Sequence, residues 1–74
     1  MKTVKVFRLL HGKSQFDVSL ATGIPNYRLS RLENGKANPT SEEIIKIAIA
    51  LETTPTILRQ DLTAALLGNA LGGA

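Results

Sequence analysis

The chain has 74 residues, a length at which one small core stabilises a single domain only marginally. It contains no cysteine and one histidine, His11, so neither a disulfide framework nor a thiolate zinc site is available and His11 has no second ligand nearby; no metal or cofactor is expected. No apolar run approaches the roughly 18 residues of a membrane span, and the opening MKTVKVFRLL lacks a signal-peptide apolar region with its cleavage site, so no membrane contact and a cytoplasmic location are expected.

Nine Lys and Arg against six Asp and Glu give a formal charge of +3, and its distribution is uneven. Residues 1–36 carry Lys2, Lys5, Arg8, Lys13, Arg28, Arg31 and Lys36 against Asp17 and Glu33, a balance of +5. Residues 37–74 carry Lys46 and Arg59 against Glu42, Glu43, Glu52 and Asp61, a balance of −2. A basic half of this kind suits a polyanion-binding face, although an ordinary solvated surface also accommodates it.

In chain order, Val4, Phe7 and Leu10 or His11 recur at helical spacing and Gly12 follows as a stop, predicting helix 1 from about Thr3 to His11. Ser14 can cap helix 2, predicted over Gln15 to Thr22, where Val18 and Thr22 share a face and Ser19 is small enough for a close helix crossing. Gly23 supplies the positive φ of a tight turn, and Ile24 points back inside. Helix 3 is predicted from about Asn26 to Asn34, with Gly35 as its stop. At 100° per residue from Asn26, Leu29 and Leu32 fall near 300° and 240°, while Asn26, Ser30, Asn34, Tyr27 and Arg31 spread from 0° to about 140°. That helix therefore has one buried apolar stripe and one outward face of amide, hydroxyl, phenol and guanidinium groups.

Asn38 and Pro39 mark a loop, after which Thr40 and Glu43 have the spacing of a capping box for helix 4. The body EEIIKIAIALE leaves only a narrow wet face through Glu42, Lys46 and Ala50, which predicts a central core helix. Thr54 and Pro55 open helix 5, whose Ile57, Leu58 and Leu62 continue the apolar pattern. This last helix is apolar on two opposed sides. Leu58 and Leu62 are assigned to the core, and Leu66, Leu67 and Leu71 to a two-fold dimer contact, the alternative being that the tail folds back over its own domain. The predicted organisation is one domain over 1–67 and a flexible tail over 68–74.

Catalysis is not expected, because no nucleophile with a base, working carboxylate pair, phosphate loop or metal cluster can be assembled. Glu42 and Glu43 adjoin at a helix start, where negative charge favours the dipole. The outward face of helix 3 has different chemistry. Arg31 can give two parallel hydrogen bonds to guanine, Asn26 can pair with adenine, and Tyr27 can contact a thymine methyl or a phosphate; a solvated helix face is the bland alternative. Gln15 opens helix 2, where free backbone N–H groups favour an anion such as a phosphate oxygen.

Gln15, Ser19 and Gly23, with apolar Val18, Ile24, Leu29 and Leu32, and the following run RLENGKANPT, resemble the helix-turn-helix of the lambdoid phage repressor and Cro family, also called the XRE family. The likeness extends over roughly Val4 to Leu58. It implies an all-α, compact five-helix, lambda-repressor-like DNA-binding domain whose helices 2 and 3 form the helix-turn-helix. It also implies a sequence-specific transcriptional regulator of the repressor kind, of bacterial or phage origin, that binds a pseudo-palindromic double-stranded operator as a homodimer. The family's base-reading positions fall on Asn26, Tyr27 and Arg31, with Arg28 and Ser30 as further candidates. Its phosphate-gripping positions fall on Gln15, Ser14, Asn34, Lys36 and Asn38, for which a plain cap or loop role is the alternative. Arg8 and Glu33 fall where family members tie helix 1 to helix 3 by an ion pair.

Three positions depart from the family's pattern: Lys13 stands where leucine is common, and Phe16 and Leu20 put a large apolar pair on a side of helix 2 that is usually charged. If the N-terminal segment does not cover that pair, a protein partner is implied. An antitoxin of a toxin-antitoxin pair has the same size and fold, and an interaction adaptor that has lost DNA binding is the alternative from another class.

Overall fold

Five helical segments account for the secondary structure of the described residues, in a computed structural model that describes residues 1–60. Helix α1 spans Lys2–Leu10, α2 spans Gln15–Thr22, α3 spans Asn26–Glu33 and α4 spans Ser41–Ala50; a further helix, α5, is described over residues 55–60. The described residues contain no strand. The expected dimer residues Leu66, Leu67 and Leu71, the core residue Leu62 and the 67/68 boundary all lie outside the described residues.

The core lies where the apolar stripes of the helices converge. Val4 from α1, Val18 from α2, Leu29 and Leu32 from α3, Ile47 from α4, and Leu51 and Leu58 beyond it are buried almost completely. Burying side chains of this size contributes about 1.5 to 3 kcal/mol each, so seven of them supply most of the apolar stabilisation open to so short a chain. Met1 joins the cluster, and its ammonium donates to the Leu32 carbonyl at 2.6 Å.

Two sequence expectations need correction. On α1 the buried stripe runs through Val4 and Arg8, with Phe7 partly buried at its flank, whereas Leu10 and His11 are exposed. A charged residue continues the stripe because its charge is neutralised inside, as described below. Helix α4 is not apolar all round in its packing: Ile44, Ile47 and Ala48 are buried, but Ile45 and Ile49 are 50% and 74% exposed. The wet face is therefore broad, and it holds two isoleucines beside Glu42 and Lys46.

Side chains satisfy the helix ends. Ser14 Oγ accepts from the Asp17 amide at 3.0 Å while Asp17 Oδ2 accepts from the Ser14 amide at 2.8 Å, and Thr40 and Glu43 repeat this reciprocal box at 3.1 and 2.8 Å. The bonds from Ser14 hold the Asp17 carboxyl below its ordinary value. Helix α4 lacks a basic residue in its own last turn, and the Lys13 ammonium donates to the Ala50 carbonyl at 3.0 Å instead. This accounts for lysine at a position where the family commonly has leucine. Glu52 then takes φ 54° to end α4, a conformation that costs a non-glycine residue about 1 kcal/mol, and its carboxylate lies 3.5 Å from His11 Nδ1.

The α1–α3 contact is organised by Arg8 and Glu33. Arg8 Nε and Nη2 donate to the two Glu33 carboxylate oxygens, both at 3.1 Å, and Nη1 donates to the Lys13 carbonyl at 3.0 Å. The two side chains are 11% and 3% exposed. In so dry a setting, removing one charge strands the other, at a cost of about 3 kcal/mol. Glu33→Gln should accordingly lower the urea midpoint of unfolding by that equivalent, and a midpoint equal to the parent's would show that the pair does not stabilise the fold.

Candidate nucleic-acid interface

The helix-turn-helix unit begins at the α2 N-terminus and is set by the turn that follows α2. Gly23 adopts φ 76° and its amide donates to the Ser19 carbonyl at 2.8 Å, which ends the helix. Thr22 Oγ1 donates to the Val18 carbonyl at 2.7 Å and accepts from the Ile24 amide at 3.2 Å, and Ser19 Oγ donates to the Ile24 carbonyl at 2.6 Å. Every one of these bonds crosses the turn or its last helical residues, so the angle between α2 and α3 is fixed by hydrogen bonds as well as by the burial of Ile24. The Pro25 carbonyl then accepts from Arg28 and Leu29, starting α3.

Helix α3 divides as its periodicity requires. Leu29, Leu32 and Glu33 are buried, and Asn26, Tyr27 and Arg31 are exposed, with Tyr27 at 72%. Asn26 and Tyr27 make no side-chain hydrogen bond within the described residues, so their polar groups are available to an external partner. Arg31 Nη2 donates to the Lys36 carbonyl at 3.0 Å, which ties the guanidinium to the loop after α3, and its other N–H groups make no hydrogen bond within the described residues. Ser30 is half-buried and accepts, through its carbonyl, the Asn34 amide group at 2.8 Å.

The residues expected to grip phosphate fall into two groups. Ser14 Oγ accepts from the Asp17 amide in the α2 cap, and Asn34 Nδ2 donates to the Ser30 carbonyl, so both side chains are already held in place at helix ends. Gln15 at the start of α2, and Lys36 and Asn38 in the α3–α4 loop, form no side-chain hydrogen bond within the described residues. Gln15 and the loop thus lie at the two ends of the helix-turn-helix unit, one on each side of the exposed α3 face in the chain order.

Arg28 is set apart from the other α3 candidates. Its guanidinium donates through Nε and Nη2 to the two Glu43 carboxylate oxygens, both at 3.0 Å, and through Nη2 to the Asn38 carbonyl at 3.0 Å. These bonds, led by Arg28 and helped by Thr40, hold the Glu43 carboxyl at about 2, well below the 4.5 of a free side chain. The partnership was not readable from the sequence, where Glu43 was already accounted for by the capping box. Lys13's bond to Ala50 was likewise hidden, because both depend on helix packing. Phe16 and Leu20 are 61% and 70% exposed, so the N-terminal segment does not cover them.

Among the described residues no group of three His, Cys, Asp or Glu side chains could hold a metal ion, and no helix is long and apolar enough to cross a membrane. A family model described as helix-turn-helix matches residues 4–58. Neither the curated proteins nor the solved structures contain a match to the chain.

A depressed carboxyl stabilises the folded state above its unfolded value and loses that contribution on acidification. The Glu43 bonds should therefore support the fold at every pH above about 4.5 and fail progressively towards pH 2. Carbon NMR should place the Glu43 titration near 2 in the parent and return it towards 4.5 in Arg28→Met. A parental midpoint at the ordinary value would mean that the pair does not persist in solution.

Proposed function

The chain belongs to the Cro/C1-type helix-turn-helix family, also called XRE, and from that premise we propose that it is a sequence-specific transcriptional regulator, a repressor that occludes a promoter by inserting α3 into the major groove of its operator. The observation that carries this reading is the α3 face itself: Asn26, Tyr27 and Arg31 are exposed while Leu29, Leu32 and Glu33 anchor the opposite side. A helix anchored on one side can present its other side to base edges with little loss of conformational freedom on binding.

In this reading Arg31 forms two bonds to a guanine, Asn26 pairs with an adenine and Tyr27 contacts a thymine methyl or phosphate, with Ser30 at the margin. Gln15, Lys36 and Asn38 hold the phosphate backbone, with Ser14 and Asn34 as further phosphate contacts from the adjoining helix ends. One such unit covers only a few base pairs, so a second copy is needed to read two half-sites about 34 Å apart. Leu66, Leu67 and Leu71 are the proposed dimer contact, and the location proposed for the protein is the cytoplasm, where its operator is. Exposed Phe16 and Leu20 favour a second reading, in which the same fold binds a protein, as an antitoxin or an adaptor does.

Selection of bound sequences from random duplex DNA at fixed salt tests the proposal. The parent should enrich one motif made of two inverted half-sites. On that motif Arg31→Ala should cost about 1 to 3 kcal/mol and relax preference at one base pair, whereas Lys36→Ala should weaken all sequences alike and flatten the salt slope by about one unit. Enrichment of no motif would contradict the function, and equal losses on motif and random DNA for Arg31→Ala would remove Arg31 from the readers.

A further inference from the structure

Glu43 is engaged on two sides at once. As the third residue of α4 it accepts the Thr40 amide at 2.8 Å, which fixes its carboxylate at the helix start. The same carboxylate takes both Arg28 bonds, and the Asn38 carbonyl takes a third, so the guanidinium is held on three acceptors by a partner that is itself immobilised. On the α3 wheel Arg28 lies near 200°, between outward Arg31 near 140° and buried Leu32 near 240°. It thus borders the reading face with its charge cancelled locally, and the two side chains are 30% and 18% exposed.

We propose that Glu43 is a specificity-determining positioning residue that acts through Arg28, holding that guanidinium off the DNA so that it adds no sequence-independent phosphate contact beside Asn26, Tyr27 and Arg31. The inference rests on the DNA-binding function proposed above. A flexible arginine beside the groove reaches a phosphate on any duplex. The benefit is greatest on random DNA, where the protein can reorient to suit the contact, and least on the operator, where base contacts fix the docking. Each added phosphate contact also steepens the dependence of affinity on salt. An arginine spent on a carboxylate does neither.

The test measures binding to the selected operator and to random duplex of equal length, each as a function of salt. Glu43→Gln retains an oxygen for the Thr40 amide and removes the charge that restrains Arg28. It should raise random-DNA affinity about five- to tenfold near 0.1 M salt and steepen the slope by about one unit. Operator affinity should rise less, so the ratio of the two falls. The double variant Arg28→Met with Glu43→Gln has the parent's local charge and should return the slope and the ratio of operator to random-DNA affinity to parental values, since the lost bond to the Asn38 carbonyl weakens both duplexes alike. If Glu43→Gln does not fold, Arg28→Met alone must carry the sign: it bares Glu43 and should weaken random-DNA binding by a similar factor. Parental random-DNA affinity and slope in Glu43→Gln would overturn the inference, as would a double variant that loses affinity for the operator but not for random DNA, since Arg28 would then be a base reader. A parent that binds random DNA but enriches no motif overturns the proposed function while leaving the random-DNA arm to decide the role of Glu43; a parent that binds no duplex overturns both.

Discussion

The buried pair of Arg8 and Glu33 is the constraint on which the rest of the arrangement depends. Glu33 is the last residue of α3, and Arg8 reaches it from the last turn of α1 with two parallel bonds. The third Arg8 bond fixes the Lys13 carbonyl, and Lys13 in turn caps α4 through Ala50. One continuous polar chain therefore runs from α3 through α1 to the end of α4. Such a pair contributes little net stability compared with well-packed apolar side chains, but breaking it is costly, and its directional bonds fix how α1 and α3 meet. The total stability of so short a domain is only several kcal/mol, so a loss of about 3 kcal/mol is a large share.

The exposed side of α3 inherits its rigidity from these contacts. Its start is set by the Pro25 carbonyl and the side-chain bonds across the Gly23 turn, its buried side by Leu29 and Leu32, and its end by Glu33. The loop that follows is held by arginines of α3 itself, Arg31 at the Lys36 carbonyl and Arg28 at the Asn38 carbonyl. Lys36 and Asn38 are thereby tied to the same frame as Asn26 and Tyr27. A rigid frame of this kind lets base contacts and backbone contacts form in one docking geometry, which is what sequence discrimination requires.

Much of this was legible in the sequence, for physical reasons that also explain the gaps. Helix positions and the outward side of α3 follow from periodicity and from local signals such as Thr40 with Glu43 and Gly23, which act over three or four residues. Arg8 and Glu33 were pointed out by the family resemblance; periodicity alone would not have put an arginine on the buried stripe of α1, and it nominated Leu10 or His11. Ile45 and Ile49 were misassigned because composition registers how apolar a helix is, while exposure depends on which neighbours reach it. Arg28 was a further candidate reader by the family resemblance, and its partner Glu43 stands fifteen residues away and meets it only after α3 and α4 have packed. Long-range pairs of charged side chains have no local signature.

The central claim is that the exposed face of α3, framed by the α2 start and the following loop, is where the protein meets DNA. Backbone amide chemical-shift mapping by NMR, with the selected operator duplex titrated into the labelled protein at fixed salt, tests it most directly. The account predicts the largest changes at Gln15, Asn26, Tyr27, Ser30, Arg31 and Lys36, with exposed Ile45 and Ile49 of α4 unmoved. Changes concentrated instead at Phe16 and Leu20, or at Ile45 and Ile49, with α3 silent, would contradict it.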